Sequence, residues 1–279
     1  MSIIFAPVSI SNMNVDEWLT DASAQLKKST PESPRLDCLV LLSKVLNLSQ
    51  AQILARLETQ LNANQVNILN ELLENRKKGV PIAYLTSTKE FYGRTFMVNK
   101  DVLIPRPESE DIIDLLKKHV YDRKSVVDIG TGSGCLAITA KLELQDLQVI
   151  GSDVSKKALK VARFNAEKLD AKVKFINTNL TVNFKSSFDI YLANLPYVPY
   201  GHKVSSGVKF EPEVAVYGGY DGLDFYRQLF NQLAVKAYNS ELVICESLVD
   251  QHQKLAGIAK KNGFKQIDEL NLVQVFQAN

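Results

Sequence analysis

Apolar residues recur at helical spacing through the first part of the chain. The first such run consists of Val15, Trp18, Leu19, Ala22 and Leu26. Side chains three or four positions apart lie on one face of a helix, so this pattern, which continues to Lys78, predicts helices that bury that face. The segments Ser49–Gln52 and Asn62–Gln65 match the capping box that opens a helix. We therefore predict a small helical bundle.

The period of the pattern changes after Gly79. Residues 91–98 alternate as two short strands about a glycine-containing turn, and the proline-rich residues 104–107 follow as a stiff loop. We then predict strands at 125–129, 148–152, 172–176, 188–193 and 242–245, helices at 134–142 and 155–169, and a terminal hairpin of 264–267 and 272–276. This alternation predicts a doubly wound α/β domain. Its sheet should be mostly parallel and seven-stranded, with a C-terminal antiparallel hairpin and a ligand at the carboxyl ends of the strands.

These changes of pattern divide the chain into three parts. We expect an N-terminal helical domain over residues 1–80, a connector made of a β-hairpin and a loop over 81–107, and an α/β domain over 108–279. A length of 279 residues leaves room for about two folded domains.

The composition is that of a folded protein and gives no strong overall charge. Of the residues, 46% are hydrophobic and 23% are charged, which excludes a disordered or low-complexity chain. Basic and acidic residues number 33 and 31, so the net charge is only +2. No strong field attracts the chain to nucleic acid or to an anionic membrane, and any polyanionic partner would have to be recognised locally.

The cysteines and histidines lie too far apart in sequence to suggest a disulfide framework or a zinc site. They are Cys38, Cys135, Cys245, His119, His202 and His252. We therefore expect a reduced, cytoplasmic setting and no metal. Residues 1–7 are apolar but lack the basic start of an export signal, and no apolar run reaches the ~18 residues of a membrane span, so we expect neither.

A glycine-rich loop connects the first predicted strand of the α/β domain to a helix. It reads Asp128-Ile129-Gly130-Thr131-Gly132-Ser133-Gly134, and Asp153 ends the next predicted strand. Glycines let the backbone turn sharply and approach a ligand, and a carboxylate at that second strand end can accept hydrogen bonds from ribose hydroxyls. Cys135 occupies the place of the third glycine in the dinucleotide fingerprint, which favours an amino-acid-and-ribose ligand over a pyrophosphate. A tight turn that binds no ligand is the alternative.

A second loop, Asn194-Leu195-Pro196-Tyr197, follows the strand that we place beside the glycine-loop strand. By itself such a sequence is ordinary turn chemistry, but its position puts it at the crevice where a second substrate meets the cofactor. The tetrapeptide resembles the motif of methyltransferases that act on planar amino or amide nitrogens. The Asn194 side-chain oxygen and the Leu195 carbonyl can accept the two N–H groups of such a nitrogen, while the Tyr197 ring stacks on the planar group.

Several blocks together resemble the protein-(glutamine-N5) methyltransferases of the HemK family, which modify the Gly-Gly-Gln glutamine of peptide chain release factors. The resemblance extends over the whole chain. Its blocks are residues 76–85, 89–93, 103–110, 128–135, 153–159, 194–197 and 218–224. The connector and the Ile104-Pro105-Arg106-Pro107-Glu108 loop are the specific ones, because the other blocks occur more loosely in other methyltransferases.

The resemblance implies a class I, Rossmann-like methyltransferase that uses S-adenosylmethionine. The residues it assigns to the cofactor are Asp128, Gly130, Thr131, Gly132, Ser133, Gly134, Asp153, Asn179, Leu180 and Asn194, with Asp128 towards the amino-acid end and Asn179 and Leu180 flanking the adenine. The residues it assigns to the glutamine are Asn194, Leu195, Pro196 and Tyr197. Release factors are the implied partners, the N-terminal domain would dock them, and nucleic acid would be met at most through the ribosome. Asn179 and Leu180 could equally be plain loop residues.

The chain departs from the family pattern at three places. Leu195 replaces the usual first proline of the tetrapeptide, which should loosen that loop without removing the carbonyl acceptor. Ser87 replaces a customary glycine, and Leu248 replaces the glycine of a Glu-Ile-Gly-x-x-Gln segment. Arg106 either serves the active site or braces its loop through a carboxylate such as Glu108.

Two other functions fit the same residues. An adenine-N6 methyltransferase of nucleic acid would use the same planar-amine loop, although the near-neutral charge disfavours it. A catalytically weakened module that binds the cofactor and docks a translation factor is the other alternative.

Overall fold

The computed structural model describes residues 13–29, 32–235 and 242–279. The N-terminal residues 1–7, for which we expect no export signal, lie outside this range. The chain divides into two compact units, Met1–Thr86 and Ser87–Asn279. In the part of the chain that is described, no helix is long and apolar enough to cross a membrane.

The first unit is helical, as the spacing of apolar residues predicts. Its helices are α1 (Val15–Leu26), α2 (Pro34–Leu46), α3 (Gln50–Leu54), α4 (Ala63–Lys77) and α5 (Ile82–Thr86). Trp18, Leu19, Leu42 and Leu69 are almost fully buried in one core cluster, which removes their apolar surface from water. Helical spacing therefore identified the buried face correctly.

Both predicted capping boxes are present in this unit. The Ser49 hydroxyl accepts from the Gln52 backbone N–H at 3.2 Å, and the Gln52 side chain accepts from the Ser49 N–H at 2.9 Å. Asn62 and Gln65 make the same reciprocal pair at 2.9 Å each. These bonds satisfy N–H groups that have no partner inside the helix, and they fix where α3 and α4 begin.

The second unit begins with the predicted hairpin. Strands β1 (Thr88–Phe91) and β2 (Arg94–Met97) pair antiparallel about Tyr92 and Gly93. Both turn residues have positive φ, 50° and 70°, as a two-residue hairpin turn of the primed type requires. Ser87, at the family's glycine position, also has a positive φ of 60°, so a backbone conformation that glycine adopts freely is imposed on a serine.

A seven-stranded sheet forms the centre of this unit and confirms the predicted fold. Its strands are β3 (Ser125–Ile129), β4 (Gln148–Asp153), β5 (Lys174–Asn177), β6 (Ile190–Ala193), β7 (Leu242–Glu246), β8 (Phe264–Leu270) and β9 (Val273–Ala278). The order is β5-β4-β3-β6-β7-β9-β8. Strands β3 to β7 run parallel, and β9 pairs antiparallel with both β7 and β8. The order reverses between β3 and β6, which places a crevice at the carboxyl ends of these two strands.

Helices cover both faces of the sheet. They are α6 (Glu110–His119), α7 (Cys135–Glu143), α8 (Lys156–Lys168), α9 (Asp224–Val235) and α10 (His252–Lys261). Val126 packs in the cluster with α6 and α7, whereas its neighbour Val127 packs in the cluster with α9 and α10. Successive strand residues point to opposite faces, so β3 is buried on both sides. Helices α6, α9 and α10 are additions to the elements expected from sequence.

Candidate active site

The glycine loop lies between β3 and α7, at the crevice where the strand order reverses. Gly130, Gly132 and Gly134 all have positive φ, at 73°, 55° and 83°. A Cβ on Gly134 would lie 2.9 Å from the Ile138 side chain and 3.1 Å from Ala162, so this glycine lets α7 and α8 approach each other. The Thr131 N–H donates to the Ser152 carbonyl at 2.8 Å and attaches the loop to β4. The loop is therefore held open by conformations that only glycine adopts easily.

Asp128, near the end of β3, is fully buried behind the glycine loop. Its Oδ2 accepts from the Thr131 hydroxyl at 2.5 Å and from the Ala137 N–H at 3.2 Å. Its Oδ1 is buried with no hydrogen-bond partner among the residues described. Burial raises the pKa of Asp128 to about 7. A buried carboxylate oxygen without a partner is costly, so Asp128 is an unsatisfied acceptor behind the glycine loop.

Asp153 lies at the end of β4, beside the glycine loop. Its Oδ2 accepts from the Gly132 N–H at 3.0 Å, and its Oδ1 accepts from the Ser155 N–H at 2.8 Å. Burial raises the pKa of this carboxyl above its ordinary value. An ionised carboxylate has about four acceptor positions, so the two oxygens keep capacity for ligand hydroxyls.

A cavity of about 290 Å³, the first cavity, opens over the carboxyl ends of β3, β4 and β6. The predicted site residues that line it are Gly130, Gly132, Asp153, Asn179, Leu180, Asn194, Leu195 and Pro196. The predicted cofactor residues that do not line it are Asp128, Thr131, Ser133 and Gly134. These four support the loop from behind: the Ser133 carbonyl, for example, accepts from the Asn165 side chain at 2.9 Å. The predicted cofactor residues thus divide into a cavity wall and the support behind it.

A second cavity of about 310 Å³ adjoins the first. Its lining includes Arg106, Tyr197 and Glu246. Asn194, Leu195 and Pro196 line both cavities. One tetrapeptide therefore separates two spaces, which is the arrangement needed when two reactants meet across a single loop.

The Asn194 side chain is held by its amide nitrogen. Nδ2 donates to the Ser109 hydroxyl at 2.7 Å and to Glu246 Oε2 at 3.0 Å. The Tyr197 hydroxyl donates to the other oxygen of the same carboxylate, Glu246 Oε1, at 2.8 Å. Burial, followed by the Glu246 charge, raises the pKa of Tyr197, which keeps the phenol protonated. Sequence reasoning missed Ser109 and Glu246, although Glu246 belongs to the segment compared with the family's Glu-Ile-Gly.

Leu195 is well fixed despite replacing proline. Its side chain is buried, and its backbone N–H donates to the Tyr226 hydroxyl at 3.2 Å. The same hydroxyl contacts the Ala193 carbonyl at 3.0 Å and the Glu246 carbonyl. The N–H that proline would lack therefore has a buried partner. The expectation that leucine loosens this loop stays a prediction, and this hydrogen bond is a contact that opposes it. Tyr226 on α9 gave no sign of this role in the sequence.

Two glycines and a glutamine support the far end of the tetrapeptide. Gln251 Nε2 donates to the Tyr197 carbonyl and to the Asp221 carbonyl, both at 2.8 Å. A Cβ on Gly222, whose φ is 79°, would overlap the Tyr197 carbonyl oxygen, and one on Gly218 would overlap the Pro196 carbonyl oxygen. These close approaches explain the Gly218–Asp224 block as a support of the loop.

The structure also bears on the departure at Leu248 and on the two alternatives for Arg106. Leu248 has an ordinary extended backbone, with φ −65° and ψ 146°, so a glycine is not required there. Arg106 pairs with Glu211 at 2.5 Å, and Glu211 also accepts from the Ile104 N–H at 3.1 Å. Arg106 therefore braces its loop through a carboxylate, as one of the two alternatives had it, but the carboxylate is Glu211 rather than Glu108 because the chain folds back on itself there.

The donor and acceptor pattern of the first cavity fits a cationic amino-acid nucleoside. The unpartnered oxygen of Asp128 lies behind the glycine loop, and the Asp153 carboxylate stands at the next strand end. Gly130 is close enough to the opposite wall that a Cβ would lie 3.3 Å from the Leu195 side chain, so the passage between the two loops is narrow. The residues present are compatible with S-adenosylmethionine as the ligand.

The sheet order and the crevice at its reversal place the protein in the class of Rossmann-like folds, which solved methyltransferases share. A methyltransferase from Pyrococcus furiosus superposes with a TM-score of 0.50 at 18% identity, covering 77% of this chain and 97% of that one. The T. thermophilus 16S rRNA N2 G1207 methyltransferase, in complex with AdoMet and guanosine, gives 0.51 at 16% identity, covering 69% of this chain and 49% of that one. At these identities the likeness concerns the fold.

Sequence comparison identifies the family. Residues 17–86 match the PrmC N-terminal domain and residues 108–209 match the methyltransferase small domain. The release factor glutamine methyltransferase of Bacillus anthracis is 35% identical over 89% of this chain and 91% of its own length. That of Neisseria gonorrhoeae is 33% identical over 92% and 93%. The chain belongs to the release factor glutamine methyltransferase family, which confirms the resemblance found in the sequence.

Proposed function

We propose that the protein transfers a methyl group from S-adenosylmethionine to the side-chain amide nitrogen, N5, of the glutamine in the Gly-Gly-Gln motif of peptide chain release factors. The observation that supports this most directly is that Asn194, Leu195 and Pro196 line both cavities. The names of the relatives supply the substrate class. A methyl donor in the first cavity and an amide in the second would meet across these residues.

The cofactor would be held by the residues around the first cavity, where it supplies an electrophilic methyl group. Gly130 and Gly132 would leave room for its amino-acid part, with Asp128 behind the loop. Asp153 would accept the ribose hydroxyls, and Asn179 and Leu180 would flank the base. The left-handed backbone of Leu180, with φ 48°, presents its buried side chain at the cavity wall.

The chain's own residues would act mainly by orientation. With its amide nitrogen bound to Ser109 and Glu246, Asn194 has Oδ1 available to accept one N–H of the substrate amide. The Leu195 carbonyl would accept the other N–H, and the Tyr197 ring would cover the planar group and exclude water. A conjugated nitrogen is a poor nucleophile, but it becomes acidic as it is methylated and can lose its proton late. Positioning alone can contribute up to ~7 to 11 kcal/mol.

The helical unit would dock the protein substrate. The match of residues 17–86 to the N-terminal domain of this family supports that role, and with it the division expected at 1–80, 81–107 and 108–279. Release factors work at ribosomes, so we place the activity in the cytoplasm, with nucleic acid contacted at most through the ribosome. The three free cysteines are compatible with a reduced compartment.

Mass spectrometry of release factors from cells with and without the protein tests the proposal. We expect one additional methyl on the Gly-Gly-Gln peptide only when the protein is present. In parallel, the purified protein should methylate a release factor and neither duplex DNA nor ribosomal RNA. Transfer to adenine would favour the adenine-N6 alternative. Cofactor binding without transfer to any of the three substrates would favour the docking module.

A further inference from the structure

Glu246 is a buried carboxylate at the end of β7. Its exposed fraction is 0%, yet it lines the cavity that Asn194 and Tyr197 share. Each of its oxygens receives a hydrogen bond from one end of the tetrapeptide: Oε2 from Asn194 at 3.0 Å and Oε1 from Tyr197 at 2.8 Å. One side chain therefore contacts the two polar side chains of the loop at once.

The carboxylate decides which way the Asn194 amide faces. The oxygen and nitrogen of an asparagine amide are similar in shape, so only the partners distinguish its two orientations. An ionised carboxylate accepts hydrogen bonds and donates none, which requires the Asn194 NH2 group to face Glu246. Oδ1 must then face the opposite side, where a substrate N–H needs an acceptor. In the flipped orientation a donor would meet a donor.

Ser109 strengthens the same preference. Its oxygen accepts from Asn194 Nδ2 at 2.7 Å, and its hydroxyl lowers the pKa of the Glu246 carboxyl. A hydroxyl oxygen has lone pairs that can accept, so both groups behind the asparagine accept from its NH2 group in this orientation. Burial raises the pKa of Glu246, whereas the Ser109 and Tyr197 hydroxyls favour its ionised form.

We propose that Glu246 is a positioning residue for methyl transfer, which holds the Asn194 amide with Oδ1 towards the substrate nitrogen and, through Tyr197, fixes the other end of the loop. This inference rests on the proposed function for the identity of the nitrogen, but any planar amine would need the same orientation. Both oxygens of Glu246 are engaged by Asn194 and Tyr197, so its effect on the substrate nitrogen passes through these two residues.

A double-mutant cycle tests this role. Glu246→Gln keeps the shape of the side chain but adds a donor, so the Asn194 amide can turn. With saturating S-adenosylmethionine and a release factor, kcat should fall ~10- to 100-fold, while the Kd for the cofactor stays within ~3-fold. In an Asn194→Ala background, adding Glu246→Gln should lower kcat by only about 3-fold more, because the asparagine orientation is already lost and only the effect through Tyr197 remains.

Glu211→Gln is the matched control. It changes a second buried glutamate of the same unit, whose oxygens bind Arg106 and the Ile104 N–H rather than Asn194. Its effect on kcat should multiply with that of Asn194→Ala, since the two residues share no bond. Melting temperatures of all variants, measured with cofactor bound, show whether a loss of activity reflects a loss of folded protein.

Two outcomes would overturn the role of Glu246. One is a full multiplication of the Glu246→Gln and Asn194→Ala losses, which would show that the carboxylate acts independently of the asparagine. The other is unchanged kcat in Glu246→Gln. Failure of the proposed function has a different signature, because the parent would then methylate DNA or RNA rather than the release factor. The cycle measured on that substrate still tests the orientation of Asn194.

Discussion

The two cavities are built in different ways. The wall of the first includes a loop of positive-φ glycines, whose backbone faces the cavity, and a carboxylate at the end of a neighbouring strand. The wall of the second consists of side chains that are held by other side chains, since Glu246, Ser109 and Tyr226 fix the loop from three separate elements. The glycine loop of the first cavity depends on the absence of side chains at its glycines. The hydrogen-bond network of the second cavity depends on the presence of each of its side chains.

This difference predicts how the two cavities respond to substitution. Changes at the first should alter the affinity for the cofactor and leave the rate at saturation almost intact. Changes at the second should alter the rate and leave the cofactor affinity almost intact.

The largest effect is expected from Asn194→Ala. Removing one positioned acceptor should lower kcat by at least ~10²-fold, while the Kd for S-adenosylmethionine changes less than ~3-fold. Single-turnover methyl transfer and calorimetric titration of the cofactor measure the two quantities. Equal turnover in mutant and parent would remove the role assigned to the asparagine.

Asp153→Ala should have the reverse signature. Loss of a carboxylate that accepts from ligand hydroxyls should weaken cofactor binding ~10- to 100-fold, with kcat at saturating cofactor within ~3-fold of the parent. The same titration and rate measurements apply. A lower kcat at saturation, with unchanged Kd, would mean that the two cavities are not separable in this way.

Gly222→Ala and Gly201→Ala form a matched pair. Both glycines have φ 79°, but a Cβ on Gly222 would overlap the Tyr197 carbonyl, whereas one on Gly201 meets nothing within 4 Å. Backbone strain alone should cost each variant about 1 kcal/mol in the free energy of unfolding. We expect only Gly222→Ala to lose turnover, by about 10-fold or more. Similar losses in the pair would show that the close approach is unimportant.

Asp128→Asn probes the pH dependence of the first cavity. The buried carboxyl has a pKa of about 7, against an ordinary value of 3.8. As pH rises from 4 to 7 the unfolded chain ionises first, so the contribution of Asp128 to stability is complete below pH 4 and is lost through pH 7. The variant should therefore gain stability relative to the parent between pH 4 and 8, on the order of 4 kcal/mol for a shift of about three pKa units.

Denaturant unfolding at the two pH values measures this gain, and cofactor titration should show weaker binding in the variant. A pH-independent difference in the free energy of unfolding would contradict a raised Asp128 pKa. A gain in stability with loss of affinity would mark Asp128 as a group retained for its ligand.

Leu195→Pro should have the smallest effect. It restores the family's proline and removes the N–H that donates to Tyr226. We expect kcat within ~3-fold of the parent and a free energy of unfolding within about 1 kcal/mol, because a fixed φ replaces one hydrogen bond. A 10-fold gain in kcat would instead show that the leucine weakens the loop.

The sequence predicted the helices, strands and helix caps, because short-range patterns of residues determine them. Helical spacing identified α1 to α4, alternation identified the sheet, and the Ser49 and Asn62 caps appear where the pattern places them. The roles assigned to the individual site residues remain predictions, although the structure groups many of them around the two cavities.

Contacts between distant positions could not be predicted in the same way. The pairing of Arg106 with Glu211 depends on how the chain folds back between them, and no periodicity encodes it. Tyr226 looks like an ordinary apolar-face residue of a helix, since only its hydroxyl, placed by the tertiary fold, distinguishes it. At Leu248 the sequence suggested a conformational problem that the structure does not show. The family's glycine at this position does not reflect a need for positive φ.

The hydrogen bond from Leu195 to Tyr226 also bears on how relatives of this protein can be recognised. A search pattern that demands two consecutive prolines would discard this chain. Here the Tyr226 phenol, on a distant helix, fixes the Leu195 peptide that a proline ring would otherwise restrict. A three-dimensional template containing Asn194, the peptide after it, and the phenol of Tyr226 would retain it. Sequences with a non-proline residue at this position and a tyrosine in the corresponding helix are then expected to be active enzymes rather than decayed copies.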